Sequence, residues 1–408
     1  MRIINTPLNP SAPNQAAPNQ GKLNKTDPSP LTSIFQKGHT EPKTIQDIHG
    51  KTWKVKFMNN PQAIKESGAT EQRKVMLTNN ESRVTKQARI KQIDTLNEAL
   101  TYHMIQQNTS NPLSGFMAQF ITTLDKNGSP INLQEELEKC NGSIEQLCKK
   151  KEFQPAYIVI RDLVNEIEEN KDKTVTTNKI KDFKMVKPSL QGTNMENKLH
   201  GYASEGFIYR TVRKIFFTLS GCSFAFQKAT KSKWYTVIIN NIKRMMTLGK
   251  TKQAINKEFE KLSLDQLKAM KTHLASLREA MKNSGYVFSD ASLLFLPSVQ
   301  KEENDKATNK LDIRLIDMSH ALAKSEILDK IWEERNSLFA LEKSKQMNTK
   351  PYKQHERNLS KLEGNLKEYE VMERDMDNSL IEMESMLDDI IRDKELPNQS
   401  TLINPRYQ

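Results

Sequence analysis

Lys310-Leu-Asp-Ile-Arg-Leu-Ile-Asp-Met-Ser-His320 is the stretch on which the reading of this chain turns. Leu311, Ile313 and Leu315 alternate with Asp312 and Arg314, the period of a strand with one buried face, and the run ends on an acid, Asp317. A second apolar run, Ala291-Ser-Leu-Leu-Phe-Leu296, lies just upstream, bounded by Asp290 and Pro297. Together they predict a hairpin whose second strand delivers a single carboxylate at its end. A hard metal ion that keeps phosphate oxygens as its other ligands needs little more from a protein.

The rest of the chain is long enough to bury a full core in one large domain or two lobes, at 408 residues. Apolar residues make up 36% and charged residues 27%, so disordered or extended helical parts dilute that core. No run of apolar residues is long enough for a membrane span, and Met1 to Gln20 lacks the apolar region of a secretory signal. Cys140, Cys148 and Cys222 show no CxxC spacing and no nearby histidine cluster, which speaks for a reducing compartment and against a zinc site. The net charge of +12 suits an anionic partner as well as plain solubility. Basic residues are not interleaved with aromatics in a stacking pattern, so nucleic acid is not expected.

Residues 1–45, rich in Pro, Asn, Gln, Ser and Thr, read as a disordered tail. Order is expected to begin near Ile48. Trp53, Val55 and Phe57 alternate with Lys54 and Lys56 as a half-exposed strand. The spacing of Ile93, Leu96 and Leu100 predicts a helix over residues 82–106. Phe116 to Leu124 turns strand-like before the Asn127-Gly128 turn, and residues 133–150 read as a short charged helix or insertion. Tyr157-Ile-Val-Ile-Arg-Asp-Leu163 is the strongest buried strand. Ser263 with Gln266 forms a capping box ahead of the apolar face Leu267, Met270, Leu274, Leu277 and Met281, and that helix stops at Ser284-Gly285. After His320 the pattern is helical only. Leu359, Leu362, Leu366, Tyr369, Met372, Met376, Leu380, Met383 and Leu387 form a heptad-like seam with an acidic outer face. It suits packing on the protein's own body or on a partner helix.

Phosphoryl transfer requires a hinge for adenine, a cation on the phosphates, a carboxylate on magnesium, and an acid or base at the attacking hydroxyl. Five segments offer these parts in order, and in that order the chain resembles the inositol polyphosphate kinase family. Glu98 to Phe120 resembles its N-lobe helix and following strand, and Tyr157 to Leu163 its interlobe hinge. Lys181-Asp-Phe-Lys-Met185 is similar to the signature Pro-x-x-x-Asp-x-Lys-x-Gly, and Ile215 to Phe226, with Ser220-Gly221, to the strand Leu-Gly-Phe-Arg-x-x-Gly-Met. Ser292-Leu-Leu294 and Ile316-Asp-Met-Ser-His320 are similar to its Ser-Leu-Leu and Ile-Asp-Phe-x-His elements. The departures are Asn178 for the signature's Pro, Val186 for its Gly, Thr218 for the strand's Arg, and no Asp-x-Gly-Tyr segment after Asp317.

The resemblance implies an α+β, two-lobed kinase-like fold with a helical, coiled-coil-like C-terminal extension. Its units are a tail at 1–45, an N-lobe with a helical insertion at 46–155, a C-lobe at 156–325 and an acidic helical extension at 326–408. It implies ATP and Mg2+ as cofactors and an inositol phosphate or phosphoinositide as substrate. Asp317 would hold the metal, with His320 and Ser292 supporting the site. Asp182 and Lys184 would meet the reacting hydroxyl and the transferred phosphate. Lys56 is the candidate nucleotide-phosphate lysine, Lys54 competes from the same strand face, and Glu98 is the candidate helix partner. Ile160, Asp162 and Leu163 would form the nucleotide hinge, with Asp162 on the ribose. Arg210, Arg213 and Lys214 are further candidates for an anionic substrate. Three rivals stand beside this reading: a catalytically impaired kinase-fold module binding an anionic ligand or a host protein; a protein Ser/Thr kinase, for which no His-Arg-Asp loop or Asp-Phe-Gly is present; and a plain helical scaffold in which the five motifs arise by chance. Localisation is expected to be cytoplasmic, or in a host cytoplasm after secretion as a bacterial effector, with a protein partner through the C-terminal helix.

Overall fold

Both strands of the expected hairpin are present in the computed structural model of the chain, which describes residues 44–57, 72–79, 81–93, 96–150, 155–171, 173–176, 180–185, 224–226, 256–289, 291–301, 307–318 and 320–400. Most of the tail, Asn178, Val186, Arg210, Arg213, Lys214, Thr218 and Ser220-Gly221 lie outside the described residues. The hairpin strands are longer than their apolar runs. Ser292–Lys301 and Ala307–Ile316 pair over ten residues in register, from Ser292 with Ile316 to Lys301 with Ala307. Pro297, expected to close the first strand, lies inside it. That strand pairs with Lys181–Met185 up to Phe295 and with Lys173–Val175 from Ser298. The proline falls at the changeover, where its missing N–H leaves no ladder bond unmade, and its C=O accepts from the Thr176 N–H at 2.8 Å.

The N-lobe is a seven-stranded sheet. In chain order its strands are β1 (Thr44–Gln46), β2 (Thr52–Phe57), β3 (Gln72–Asn79), β4 (Val84–Gln92), β5 (Phe120–Asp125), β6 (Pro130–Ile131) and β7 (Pro155–Arg161). They are arranged β1-β2-β3-β4-β7-β5-β6. The Ile48 N–H donates to the Ile121 C=O at 3.0 Å, so the first strand's end returns to β5 and the sheet curls round. Alternation sends Ile45, Trp53, Val55, Val75, Leu77, Ala88, Ile90, Tyr157 and Val159 into one buried cluster. Ile45 is 1% exposed, so Thr44–Gln46 is already part of the sheet, slightly ahead of the expected point.

Half of the helix expected over 82–106 is instead β4. Its residues Ala88 and Ile90 are buried at period two against β3, and the turn joining the strands carries Arg83 in left-handed backbone, φ 54°. Only Leu96–Gln107, here α1, is helical. Two short helices, α2 (Leu133–Glu138) and α3 (Ile144–Lys149), fill the charged insertion. β7 lies between β4 and β5, buried as expected, and leads into α4 (Leu163–Lys171).

The C-lobe sheet joins β8 (Lys173–Val175), β9 (Lys181–Met185), β10 (Phe224–Phe226), β12 (Ser292–Lys301) and β13 (Ala307–Ile316). On one face Phe183, Phe259 and Phe295 pack at tilted and edge-on angles, their ring centres within 6.3 Å of one another, beside α5 (Leu264–Ser284). The capping box at Ser263 and Gln266 is formed, and α5 ends on Gly285 at φ 72°, a backbone that glycine adopts without strain. The chain past Asp317 is not helical at once. β14 (His320–Ala323) first pairs with β11 (Tyr286–Ser289), and α6 (Lys324–Lys343) follows.

The last helix, α7 (Lys350–Ser400), folds back on the body. Its seam is buried, with Tyr369, Met372, Leu380 and Leu387 all at 0% exposure. Its acidic face meets basic residues of α5: Arg278 reaches Glu384 at 2.9 Å and Lys268 reaches Glu395 at 2.7 Å, and Lys271 pairs with Asp388. These pairs are half exposed and contribute little, so the buried seam holds the helix. Leu380→Ala is expected to cost about 2–5 kcal/mol in urea unfolding, whereas Lys268→Ala should cost under about 1 kcal/mol.

Candidate functional site

The hairpin's open end meets the signature strand in a single cross-strand row. Lys184 pairs with Ser292, and Ser292 pairs with Ile316, the residue before Asp317. At normal strand spacing the Lys184 and Ile316 backbones are about 10 Å apart. Asp182 pairs with Leu294, one row deeper, and alternates with Phe183, so it belongs to the face away from the Phe cluster. Arg314 shares that face and reaches the Gly115 carbonyl and, at 3.9 Å, Glu166. The face with Asp182 therefore looks toward the hinge and the N-lobe. Ser292 is fully buried in the row, where a supporting side chain belongs.

Asp317 leaves the strand in left-handed backbone, φ 58°. Asp is among the few non-glycine residues that tolerate this region, and such conformations gather at functional sites. The turn ends the ladder and directs the carboxylate off the strand, where its side chain is 37% exposed.

What it meets there is Lys91, on β4. The Lys91 Nζ lies 2.7 Å from Asp317 Oδ1 and 2.6 Å from Glu98 Oε1. Lys91 is 8% exposed and Glu98 3%. Burial alone would pull the lysine's pKa down, but the Glu98 and Asp317 carboxylates outweigh it and hold it above the ordinary lysine value. The ammonium is a fixed cation between two carboxylates, one supplied by each lobe. α1 places Glu98 in its first turn, one face above β4, and the Asn97 side chain ties α1 to the Ala321 carbonyl of β14 at 2.9 Å. Tyr102 lies buried one turn further on, its hydroxyl held protonated first by burial and then by Glu98.

The expected residues divide clearly. Glu98, Asp182, Lys184, Ser292 and Asp317 are brought to the interlobe side, and the backbone of His320 opens β14 three residues past Asp317. Lys56 is not brought to Asp317. It is exposed on β2 opposite Met76 of β3, which in turn faces Gln87, four residues short of Lys91 on β4. The separation is about 16 Å. Glu98, expected to partner Lys56, partners Lys91 instead.

At the hinge, Ile160 and Leu163 are buried at 9%. The Asp162 carboxylate is 1% exposed and already engaged: Arg89 donates to Oδ2 at 2.7 Å, Lys74 lies 3.2 Å from the same oxygen, and Oδ1 accepts from the Asn165 N–H at 3.4 Å. Burial pushes its pKa up, but Arg89 and Lys74 more than reverse this and hold it below the usual carboxylate value. Asp162 thus pins the start of α4 to β3 and β4, with both carboxylate oxygens engaged in doing so.

Lys91 was missed because its segment reads as a basic helix. The signal was present in the period-two pair Ala88 and Ile90, with a lysine after them and an acid seven residues on. Among the described residues no three His, Cys, Asp or Glu gather as a metal cluster. A metal here would rest on Asp317 and on phosphate oxygens, the arrangement magnesium ordinarily takes in phosphoryl-transfer sites. No helix of the described residues is long and apolar enough to cross a membrane.

Comparison with known proteins adds the family. The chain matches no curated protein sequence. Among solved structures it is similar to the inositol phosphate multikinase of S. cerevisiae in complex with ADP and Mn2+, at 15% identity, over 57% of this chain and 89% of that one, with a TM-score of 0.33. That likeness is too loose to carry residues across. The family model for inositol polyphosphate kinase matches residues 157–359, a span that opens on the hinge strand and includes Asp182, Lys184, Ser292 and Asp317. On that match, joined to the order in which the structure assembles those residues, the chain belongs to the inositol polyphosphate kinase family.

Proposed function

We propose that this protein is an ATP-dependent kinase that transfers the γ-phosphoryl group to a hydroxyl of an inositol phosphate or phosphoinositide. The observation that carries this is the Lys91–Glu98–Asp317 cluster, in which one lobe's lysine is held by its helix acid against the other lobe's strand-end acid. A lysine–helix glutamate pair together with a metal-binding aspartate is the arrangement that kinase-type phosphoryl transfer requires.

In this reading Lys91 takes the nucleotide-phosphate role expected of Lys56, and Glu98 fixes the direction of its ammonium. Asp317 holds magnesium, which when bound neutralises charge on the phosphate oxygens. Asp182 orients the attacking hydroxyl and Lys184 stabilises the transferred group, both from β9. Ile160 and Leu163 wall the adenine side. Asp162 acts as the hinge's pin. Lys54, Lys56 and Lys74 stand on the sheet face opposite the Trp53–Val55–Val75 cluster, the same face as Lys91, and form a basic approach for a polyanion.

The test is incubation of the purified full chain with γ-labelled ATP, Mg2+, a panel of inositol phosphates and phosphoinositide vesicles. Label is expected on an inositol-containing product and not on added protein substrates. Absence of transfer to every member overturns the proposal. Thermal stabilisation by ATP–Mg2+ without any transfer would establish the impaired, ligand-binding module in its place.

A further inference from the structure

A cavity of about 1390 Å3 lies between α1, the α2–α3 turn at Asn141–Ser143, and the hairpin of α6 and α7. Five carboxylates line it against two lysines, Lys330 and Lys361. On a chain of net charge +12 this acidic concavity runs against the overall sign. Glu334 is engaged by His355 at 2.6 Å, and Lys330 lies 3.8 Å from Glu326. Asp329 and Glu333 are exposed on the groove wall.

Trp332 stands between these two acids' turns of α6, lines the groove and is 67% exposed. Leu328 and Phe339, four residues before it and seven after, are 44% and 67% exposed. At helical spacing the three form one stripe within about 40° of a common line. Large apolar side chains in an exposed row beside charge mark an interaction surface. Tryptophan is the residue most often carrying binding energy at such surfaces.

We propose that this groove and stripe bind a basic amphipathic helix of a partner protein. Its apolar face lies on Leu328, Trp332 and Phe339, and its lysines or arginines meet Asp329 and Glu333. Charge complementarity selects this occupant: the same carboxylates repel anionic lipid headgroups, and a second copy of this largely basic chain would have to present a basic apolar helix of its own. Leu328, Asp329, Trp332, Glu333 and Phe339 all belong to α6 and none to the Lys91–Glu98–Asp317 cluster, so the proposal does not depend on the kinase reading.

The test uses the full chain and a labelled synthetic helix carrying leucines on one face and lysines on the other, followed by fluorescence anisotropy. The control peptide has glutamates in place of the lysines. The lysine peptide is expected to bind, to weaken with added salt, and to lose at least about tenfold in affinity with Trp332→Ala and with Asp329→Lys/Glu333→Lys. Both variants should keep the parent's Tm and phosphoryl transfer. Equal affinity for the two peptides, or affinity unchanged in the variants, overturns the proposal. So does a dimer seen by sedimentation that Trp332→Ala dissolves, since a second copy would then be the occupant. Binding of anionic vesicles that is lost in the same variants would overturn it in favour of a membrane.

Discussion

Asp317→Asn is expected to lower phosphoryl transfer by at least about a thousandfold while leaving the fold in place, because it removes the metal-binding charge and little else. Asparagine is the substitution to use. Asp317 sits at φ 58°, and Asn tolerates left-handed backbone where Ala would add strain of its own. The carboxylate is 37% exposed, so the ion pair lost to Lys91 is partly screened by solvent and should cost no more than about 1 kcal/mol of stability. Urea unfolding and initial rates on the same preparation separate the two effects. A variant that keeps even a tenth of the parent rate would remove Asp317 from the metal site.

Lys91→Met should act the other way, on stability as strongly as on activity. It leaves Glu98, 3% exposed, without its counter-ion, and a buried charge stripped of its partner typically costs about 3–5 kcal/mol. Replacing both members with apolar residues removes that penalty. Lys91→Met/Glu98→Leu is therefore expected to recover most of the lost stability in the double-mutant cycle. Transfer should stay absent in the single and the double variant, since neither carries the phosphate-binding ammonium. Activity returning together with stability would show that Lys91 serves the fold alone.

The hairpin and the hinge strand were legible in the sequence because their signal is local. Leu311, Ile313 and Leu315 bury one face at period two, and Tyr157 to Ile160 bury both faces in the middle of a sheet, each within a few residues. The strand β4 was not legible. Its core residues, Ala88 and Ile90, are few and embedded among Arg89, Lys91 and Gln92, so the following helix's period overran it. The site divides on the same ground. Asp182, Lys184, Ser292 and Asp317 belong to short segments with family spacing, whereas Lys91 acquires its role only from Asp317, 226 residues away. Lys56 and Lys91 have the same side-chain chemistry, and nothing within either segment tells an exposed strand lysine from one that the fold closes over. Asp162 shows a related limit: it lies between β7 and α4, and Arg89 and Lys74 take its carboxylate by contacts that only the folded sheet creates.

One buried cluster contains Leu100 and Ile105 of α1, Ile158 and Ile160 of β7, the inner residues of β12 and β13, and the seam of α7 as far as Ile390. This fixes when the protein becomes competent during its synthesis. The helix that carries Glu98 is made early, but the apolar wall it rests on is completed by residues translated almost three hundred positions later. A growing chain can bury the Trp53–Val75–Tyr157 cluster as soon as β7 emerges, yet the apolar wall behind α1 is finished only once the residues through Ile390 have left the ribosome. Translation products that end before α7 would thus contain the N-lobe sheet and lack the wall on which α1 rests.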